Sequence, residues 1–187
     1  MKKILRQSIL KKRTGQKADL KKTKDTAIRK RITSNTDFQK SRIIFCYVSK
    51  KDEVDTLEIL KKWIGKKEFI VPRVVDENHF DLHHLEKIEQ LSPGVFGVLE
   101  PHRESRKRAA HEIELAIIPG VVFDTRGHRI GFGKGYFDRF LKKLKCPKIG
   151  LAYEFQIVDK IPESTYDVPV DFIITEKRVI VAASANK

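Results

Sequence analysis

Residues 42–71 read RIIFCYVSKKDEVDTLEILKKWIGKKEFIV, and this stretch decides the fold class. It opens on an apolar run, residues 42–48, of strand length and rich in β-branched and aromatic side chains. A helical pattern follows over residues 54–64 and ends at Gly65, and residues 69–71 form a second apolar run of strand length. The order strand, helix, strand predicts a parallel pair joined by a right-handed crossover.

Helical and extended patterns continue on both sides of that stretch. Residues 2–32 have helical spacing, with Gly15 separating two helices. Residues 103–111 are basic and helix-permissive, and residues 135–144 carry an apolar stripe at helical spacing. Further strands are predicted at residues 115–118, 149–152, 172–175 and 179–181. We therefore predict an α/β fold in a single domain, residues 1–187, whose mixed, mostly parallel sheet is flanked by helices on both faces.

The composition narrows the class of protein. A chain of 187 residues with 40% hydrophobic residues can bury a sizeable core. The two cysteines, Cys46 and Cys146, form no disulfide framework, which is typical of a reducing compartment. No apolar run is long enough to span a bilayer, and no signal peptide follows the basic N-terminus. We expect a cytoplasmic protein without a membrane partner.

The charge of the chain is unusual. Lys and Arg number 39 against 25 Asp and Glu, a formal net charge of +14. Such an excess attracts polyanions, so a basic module that binds RNA or DNA is an alternative, supported by the run at residues 106–108. Aromatic residues are not interleaved with the basic runs, and no RNA-binding motif is recognisable, so nucleic acid is a less favoured partner.

The second informative stretch is rich in glycine. Residues 119–138 read PGVVFDTRGHRIGFGKGYFD, with three alternate glycines: Gly131, Gly133 and Gly135. Glycine leaves backbone N–H groups unshielded, and this run leads into a predicted helix whose N-terminus carries partial positive charge. Arg129 and Lys134 add cationic donors that suit a polyphosphate, and Asp138 is placed to hold Mg²⁺ on it. The stretch predicts a cradle for a nucleoside triphosphate.

The glycine pattern alone does not identify the loop. It is not a Walker A loop, because Lys134 is followed by Gly135 rather than by Ser or Thr. The third glycine also comes too early for a dinucleotide-binding fingerprint. A glycine-rich turn that packs a helix tightly against a sheet is the alternative that the pattern leaves open.

The glycine-rich stretch resembles the nucleotide-binding signature of the 5-formyltetrahydrofolate cyclo-ligase (methenyltetrahydrofolate synthetase) family. Further motifs of the family occur in the same order and at similar distances, so that the resemblance covers almost the whole chain. These motifs are KKILR at residues 2–6, DEVDT at 52–56, FGVLEP at 96–101, IGLAY at 149–153 and DVPVD at 167–171.

The resemblance implies an ATP-dependent reaction in which 5-formyltetrahydrofolate becomes 5,10-methenyltetrahydrofolate, with release of ADP and phosphate. ATP phosphorylates the formyl oxygen, and N10 then closes the ring. Such a reaction asks the protein for positioning and charge stabilisation more than for a covalent nucleophile. The implied small-molecule partners are ATP and the formylated folate, with or without a polyglutamate tail, and the cofactor is Mg²⁺.

The matched motifs also imply functional residues. The ATP-binding set is Lys2, Lys3, Ile4, Leu5, Arg6, Arg129, Ile130, Gly131, Phe132, Gly133, Lys134, Gly135, Tyr136 and Phe137. The catalytic set within it is Arg129, Lys134 and Tyr136. The folate-binding set is Tyr47, Val48, Glu53 and Phe96, and the Mg²⁺ ligands are Asp138 and Asp171.

Two points stay open at the level of sequence. A relative that uses ATP on a different, thiamine-linked substrate would share the fold, although the intact motif around Glu53 favours folate. The family's acidic stretch before residue 119 is replaced here by the basic residues 103–108, which are expected to attract a glutamate tail. The chain is a monomer or a homodimer on this reading.

Overall fold

The structure, a computed structural model, describes residues 1–76, 79–162 and 164–183. In these ranges the helices are α1 (Lys2–Thr14), α2 (Ala18–Ser34), α3 (Thr36–Lys40), α4 (Leu57–Trp63) and α5 (Tyr136–Leu141). The strands are β1 (Ile43–Cys46), β2 (Glu68–Val74), β3 (Phe80–Leu85), β4 (Leu91–Pro93), β5 (Leu99–Pro101), β6 (Leu115–Ile118), β7 (Val122–Asp124), β8 (Arg129–Ile130), β9 (Lys148–Leu151), β10 (Ile157–Val158), β11 (Phe172–Ile174) and β12 (Val179–Val181).

One large sheet organises these elements. Its order is β12-β11-β9-β6-β1-β2-β3, with the inner strands parallel and the two outermost pairs, β11 with β12 and β2 with β3, antiparallel. β1 and β2 are parallel neighbours joined through α4, as residues 42–71 predict. The predicted fold class, a mixed and mostly parallel sheet in an α/β protein, is confirmed.

Side chains alternate across the sheet and bury helices on both faces. In β1, Ile44 and Cys46 join a cluster that includes residues of α2 and α4. Phe45, between them in sequence, points to the opposite face and packs with Phe140 of α5, at 4.6 Å between ring centroids. Burying an aromatic side chain of this size stabilises a fold by about 1.5–3 kcal/mol. The helices therefore cover both faces, as predicted. No helix in the described ranges combines the length and the apolar character needed to cross a bilayer.

The helix predicted from residue 54 begins three residues later, at Leu57. Ser49 and Thr56 explain the delay, because each backbone N–H donates to the side-chain oxygen of the other at 3.1 Å. Thr56 Oγ1 also donates to the carbonyl of Tyr47 at 2.7 Å. These bonds hold the intervening residues as a loop at the carboxyl end of β1.

Residues 103–111, which are basic and helix-permissive in sequence, form no α-helix; the structure has a 3₁₀ turn at Ala110–Glu112. The chain instead runs along the outer edge of β3. Arg108 N donates to Leu82 O at 2.9 Å, and His84 N donates to Arg106 O at 2.8 Å. An open sheet edge leaves backbone groups unpaired, and pairing them outweighs a modest helix propensity.

Candidate active site

The glycine loop, residues 131–135, lies between the end of β8 and the start of α5. Gly133 and Gly135 have φ of 99° and 69°, in the left-handed region that favours glycine. A Cβ built at Gly131 would meet no atom within 4 Å, so the backbone is open to approach there. The loop is exposed from residue 131 to 134, which disfavours the alternative that it only packs a helix against the sheet.

Helix α1 lies against this loop. Arg6 Nε donates to the carbonyl of Gly131 at 2.8 Å, and Lys2 Nζ forms an ion pair with Asp167 at 2.7 Å. Leu5 faces a small apolar cluster under the loop that includes Ile130. The remaining residues of the predicted N-terminal set, Lys3 and Ile4, are exposed. Two distant parts of the sequence thus meet as the motif match implies.

Arg129 is a buried cation beneath the glycine loop. Its Nη2 donates to Asp138 Oδ1 at 3.0 Å, and its Nη1 donates to Val168 O at 2.9 Å. Burial lowers the pKa of Arg129, and the carboxylate of Asp138 opposes that shift. The guanidinium therefore fixes the first turn of α5 from below the loop.

The other loop side chains point in different directions. Lys134 is exposed, and its backbone carbonyl accepts a hydrogen bond from Arg139 Nη2 at 3.0 Å. The Tyr136 hydroxyl donates to Asp76 O at 2.7 Å, which ties α5 to the end of β2. Phe137 packs inward against the core. Lys134 thus lies on the exposed part of the glycine loop.

Phe132 differs from these residues, because its ring is half exposed and lies between two cations. Its centroid is 5.9 Å from Arg13 Cζ and 5.0 Å from Lys50 Nζ. Arg13 belongs to α1, and Lys50 belongs to the turn after β1. The ring therefore joins the glycine loop to the turn that carries Glu53.

A narrow cleft opens beside that turn, at the carboxyl ends of β1, β6 and β9. This is the edge at which ligands bind in open α/β sheets. Its lining combines predicted folate-binding residues with others: Arg13, Tyr47, Glu53, Val54, Pro119, Gly120, Leu151 and Gln156. The cleft and the glycine loop share α1 as a wall.

Glu53 is a buried carboxylate in this cleft. Its Oε2 accepts a hydrogen bond from Lys50 N at 3.0 Å, and its Oε1 lies 3.6 Å from Arg13 Nη2. Burial raises the pKa of Glu53; the bond from Lys50 and the charge of Arg13 lower it in part. A buried oxygen with capacity to accept further hydrogen bonds suits a ligand that presents N–H donors.

The other predicted folate contacts are placed less uniformly. Tyr47 lines the cleft, and its hydroxyl donates to Val54 O at 3.0 Å; burial raises its pKa. Val48 is buried in the core cluster behind the cleft. The side chain of Phe96 lies outside the part of the chain that the structure describes.

Three polar residues of the site were missed by sequence reasoning: Arg13, Asp25 and Tyr153. Asp25 Oδ1 lies 2.8 Å from the Tyr153 hydroxyl and accepts from Asp55 N at 3.2 Å. The Tyr153 hydroxyl also lies 3.0 Å from Glu53 O. The available signal was a charged residue on an apolar stripe, since Arg13 follows Ile9 by four positions.

The predicted metal ligands are both engaged by cations. Asp138 pairs with Arg129, and its side chain is one-third exposed. Asp171 lies at the other end of the sheet strands, where its Oδ2 accepts from the backbone N and the Nζ of Lys148. Among the described residues, no three His, Cys, Asp or Glu side chains come together as a metal site. Mg²⁺ commonly keeps its waters and binds through phosphates with one or two carboxylates, a role that Asp138 fits better than Asp171.

Two other features lie apart from the loop and the cleft. A larger cleft of about 320 Å³ opens at the amino ends of β1 and β2 and contains none of the predicted site residues.

In the basic run, Lys107 pairs with Asp81, and Arg108 pairs with Glu68 and Glu112. Those two cations are therefore partly neutralised within the fold.

The fold and the site define an α/β protein with an exposed glycine-rich loop beside a cleft that holds a buried carboxylate. A sequence profile described as the 5-formyltetrahydrofolate cyclo-ligase family matches residues 1–176. The chain belongs to the 5-formyltetrahydrofolate cyclo-ligase family and is an enzyme of that ligase class.

Individual relatives agree over most of their length. The mitochondrial 5-formyltetrahydrofolate cyclo-ligase of Arabidopsis thaliana is 29% identical over 208 residues, covering 96% of this chain and 75% of the plant protein. The 5-formyltetrahydrofolate cyclo-ligase of Mus musculus is 31% identical over 160 residues, covering 78% of this chain and 79% of the mouse protein. The solved structure of Aquifex aeolicus 5,10-methenyltetrahydrofolate synthetase superimposes with a TM-score of 0.88 at 34% identity, covering 97% of this chain and 93% of that one. The resemblance inferred from the motifs is confirmed.

Proposed function

We propose that this enzyme converts 5-formyltetrahydrofolate and ATP into 5,10-methenyltetrahydrofolate, ADP and phosphate. The observation that carries the proposal is the shared wall formed by α1. Arg6 of that helix contacts the glycine loop, and Arg13 of the same helix contacts the turn of Glu53. The glycine loop and a carboxylate that can accept from N–H donors thus lie side by side, which supports phosphoryl transfer between two bound substrates.

The chemistry follows from the poor leaving ability of an amide-like oxygen. The formyl oxygen attacks the γ-phosphorus of ATP, and the bond to ADP breaks. The N10 lone pair then attacks the activated formyl carbon, the carbon–oxygen bond breaks with release of phosphate, and N10 gives up its proton to solvent. Each step moves negative charge onto phosphate oxygens, so catalysis consists mainly of positioning and charge stabilisation.

The loop supplies these functions for the phosphates in our proposal. Backbone N–H groups of Gly131 to Gly135 face the anion, and the ammonium of Lys134 stabilises the transferred phosphoryl group. Arg129 acts from beneath by holding Asp138 and the first turn of α5. Mg²⁺, when bound with ATP, would neutralise phosphate charge, and Asp138 is the residue that would hold it.

The cleft orients the pterin in the same proposal. The carboxylate of Glu53 accepts hydrogen bonds from pterin N–H groups, and Tyr47 forms part of the wall. Tyr136, tied to Asp76 O at the loop side, lies where the family resemblance places a tyrosine near the formyl group. Burial of Glu53 strengthens these hydrogen bonds, because little water competes for the carboxylate.

The test is a turnover assay on the purified full chain. With MgATP and 5-formyltetrahydrofolate, we expect the absorbance of the methenyl product to appear, with ADP and phosphate released in equal amounts to it. Omission of either substrate should abolish the signal.

Three outcomes would contradict the proposal. Nucleotide binding without any methenyl product would favour a relative with another acceptor, such as a thiamine-linked compound. Release of phosphate without ring closure would mean that the cleft does not take the folate. A gel shift with RNA or DNA that survives physiological salt and discriminates between sequences would instead favour the nucleic-acid alternative.

A further inference from the structure

We propose that Arg13 is a positioning residue, which sets the place and the charge of the Glu53 carboxylate and so tunes folate binding. The inference rests on the proposed function of the cleft. No motif in the sequence singles out Arg13. It is nevertheless among the largest side chains that the fold buries completely.

The geometry explains why a buried arginine is needed at this point. The Arg13 side chain is 1% exposed, and its Nε donates to Asp52 Oδ2 at 3.0 Å. Its Nη2 bonds the same oxygen, and it also lies 3.6 Å from Glu53 Oε1. One guanidinium thus serves two consecutive carboxylates, and the planar fork of arginine suits that role better than the point charge of lysine.

The two carboxylates differ in their environment. The Asp52 side chain is 26% exposed, whereas that of Glu53 is only 10% exposed. Asp52 therefore holds the Arg13 guanidinium near solvent through hydrogen bonds, and the same guanidinium forms an ion pair with Glu53 inside the cleft. Without that cation, Glu53 would be a buried carboxylate with a single backbone donor, which favours its neutral form.

Other groups around Glu53 do not replace the cation. Those facing it are Lys50 and Asp52 from its own turn, Tyr47 from the end of β1, Tyr153 after β9 and, behind Tyr153, Asp25 of α2. Asp52 and Asp25 are acidic. The ammonium of Lys50 lies over the Phe132 ring and lowers the pKa of Glu53 less than Arg13 does. Arg13 is accordingly the cation that the fold inserts beneath the carboxylate.

Arg13 also faces the glycine loop, because its guanidinium carbon is 5.9 Å from the centroid of Phe132. The residue therefore contacts the turn of Glu53 on one side and the loop on the other. A phosphate bound on the loop and a pterin bound in the cleft would both depend on its position.

The test compares Arg13→Met with Asp52→Asn, since both variants break the same ion pair. Removing Arg13 takes away the charge that lowers the pKa of Glu53, so its titration moves to higher pH. Asp52→Asn removes a negative charge that raises the pKa of Glu53, and Arg13 then pairs with Glu53 alone. The titration of Glu53 therefore moves to lower pH. The measurement is a carbon-13 NMR titration of Glu53 in the free protein, with the signal assigned by its loss in Glu53→Gln.

A role in packing alone predicts a different result, because two variants that break one ion pair would then shift the titration in the same direction or not at all. That outcome overturns the proposal. Arg13→Lys, which keeps the charge and is the milder change, is measured in parallel and should leave the titration nearer to that of the wild type. If Arg13→Met does not fold, Asp52→Asn still tests the proposal. A shift of the Glu53 titration to higher pH in that variant, or no shift, would overturn it.

Enzyme kinetics provide the second readout. In Arg13→Met we expect the KM for 5-formyltetrahydrofolate to rise by roughly ten- to hundredfold, the size of a lost hydrogen bond to a charged group, with a smaller change in kcat. Lys12→Met, at an exposed position of the same helix, is the matched control and should leave both constants unchanged. An equal loss in kcat with an unchanged KM would contradict a positioning role at the folate. Failure of the wild-type enzyme to turn over would refute the proposed function instead, and the NMR titration remains valid in that case.

Discussion

The glycine loop and the turn of Glu53 are neighbours that work in opposite ways. The loop is exposed, and its shape comes from backbone conformations that glycine adopts freely, with Arg6 as a side-chain contact. The turn buries Glu53, and its shape comes from side-chain hydrogen bonds and an ion pair with a distant helix. A short segment can therefore form an exposed glycine-rich loop largely by itself, whereas a buried carboxylate needs partner residues from elsewhere in the chain.

The same contrast applies to charge. Around the loop, the phosphate of the proposed substrate would bring the charge that compensates the surface cations. In the cleft, Arg13 provides the compensation before any ligand arrives. The loop should therefore be sensitive to changes that affect turnover, and the turn should be sensitive to pH.

The largest effect is expected at Lys134. Because its ammonium is proposed to stabilise charge that develops during transfer, Lys134→Ala should lower kcat by roughly 100- to 1,000-fold while the affinity for the folate changes little. Steady-state kinetics and a folate binding assay measure the two quantities. Lys143→Ala, at an exposed position after the same helix, is the control. An equal loss of folate affinity would mean that the side chain shapes the loop and the cleft together.

A second, intermediate effect concerns the pH dependence of stability. Burial raises the pKa of Glu53, so its contribution to folding is fully present below the ordinary value of 4.5 and is lost as pH rises through the folded-state pKa. Relative to Glu53→Gln, the wild type should thus lose stability as pH rises from 4.5 through the folded-state pKa, by about 1.4 kcal/mol for a tenfold difference between the two acid dissociation constants. Urea unfolding of both proteins across this range measures the difference.

For Glu68, we expect the stability of the protein to depend on pH in the opposite direction. The hydrogen bond from Arg108 lowers the pKa of Glu68, so its contribution is present above 4.5 and is lost as pH falls through the folded-state pKa. The wild type should accordingly lose its advantage over Glu68→Gln towards acid. Parallel slopes for the two variants would show that burial does not raise the pKa of Glu53.

The smallest effect is expected from the backbone of the loop. Gly133 has a positive φ, and a Cβ there would meet Arg6 Nη2 at an ordinary contact distance of 3.5 Å. Gly133→Ala should therefore cost about 1–2 kcal/mol of unfolding free energy through backbone strain and little through crowding. Gly131→Ala, which has neither feature, should cost less. Equal costs, measured by urea unfolding, would show that the left-handed conformation at Gly133 carries no strain.

The sequence by itself determined the fold class and the position of the loop. Strands such as residues 43–46 and the separation of α1 from α2 near Gly15 follow from local patterns of burial and from breaker residues. These patterns depend on neighbours a few positions away, so they can be read along the chain. The alternate glycines can also be recognised in the sequence, because all three lie within the five residues that form the loop.

Tertiary structure decided which polar residues serve the site. Arg13 meets Asp52 and Glu53 only because α1 crosses the carboxyl end of β1, and Asp25 meets Tyr153 across 128 positions of sequence. Residues 106–108 of the basic run pair with the edge of β3 instead of forming a helix for a similar reason. Burial and hydrogen bonding between distant segments set these choices, and such contacts leave no periodic trace in the sequence.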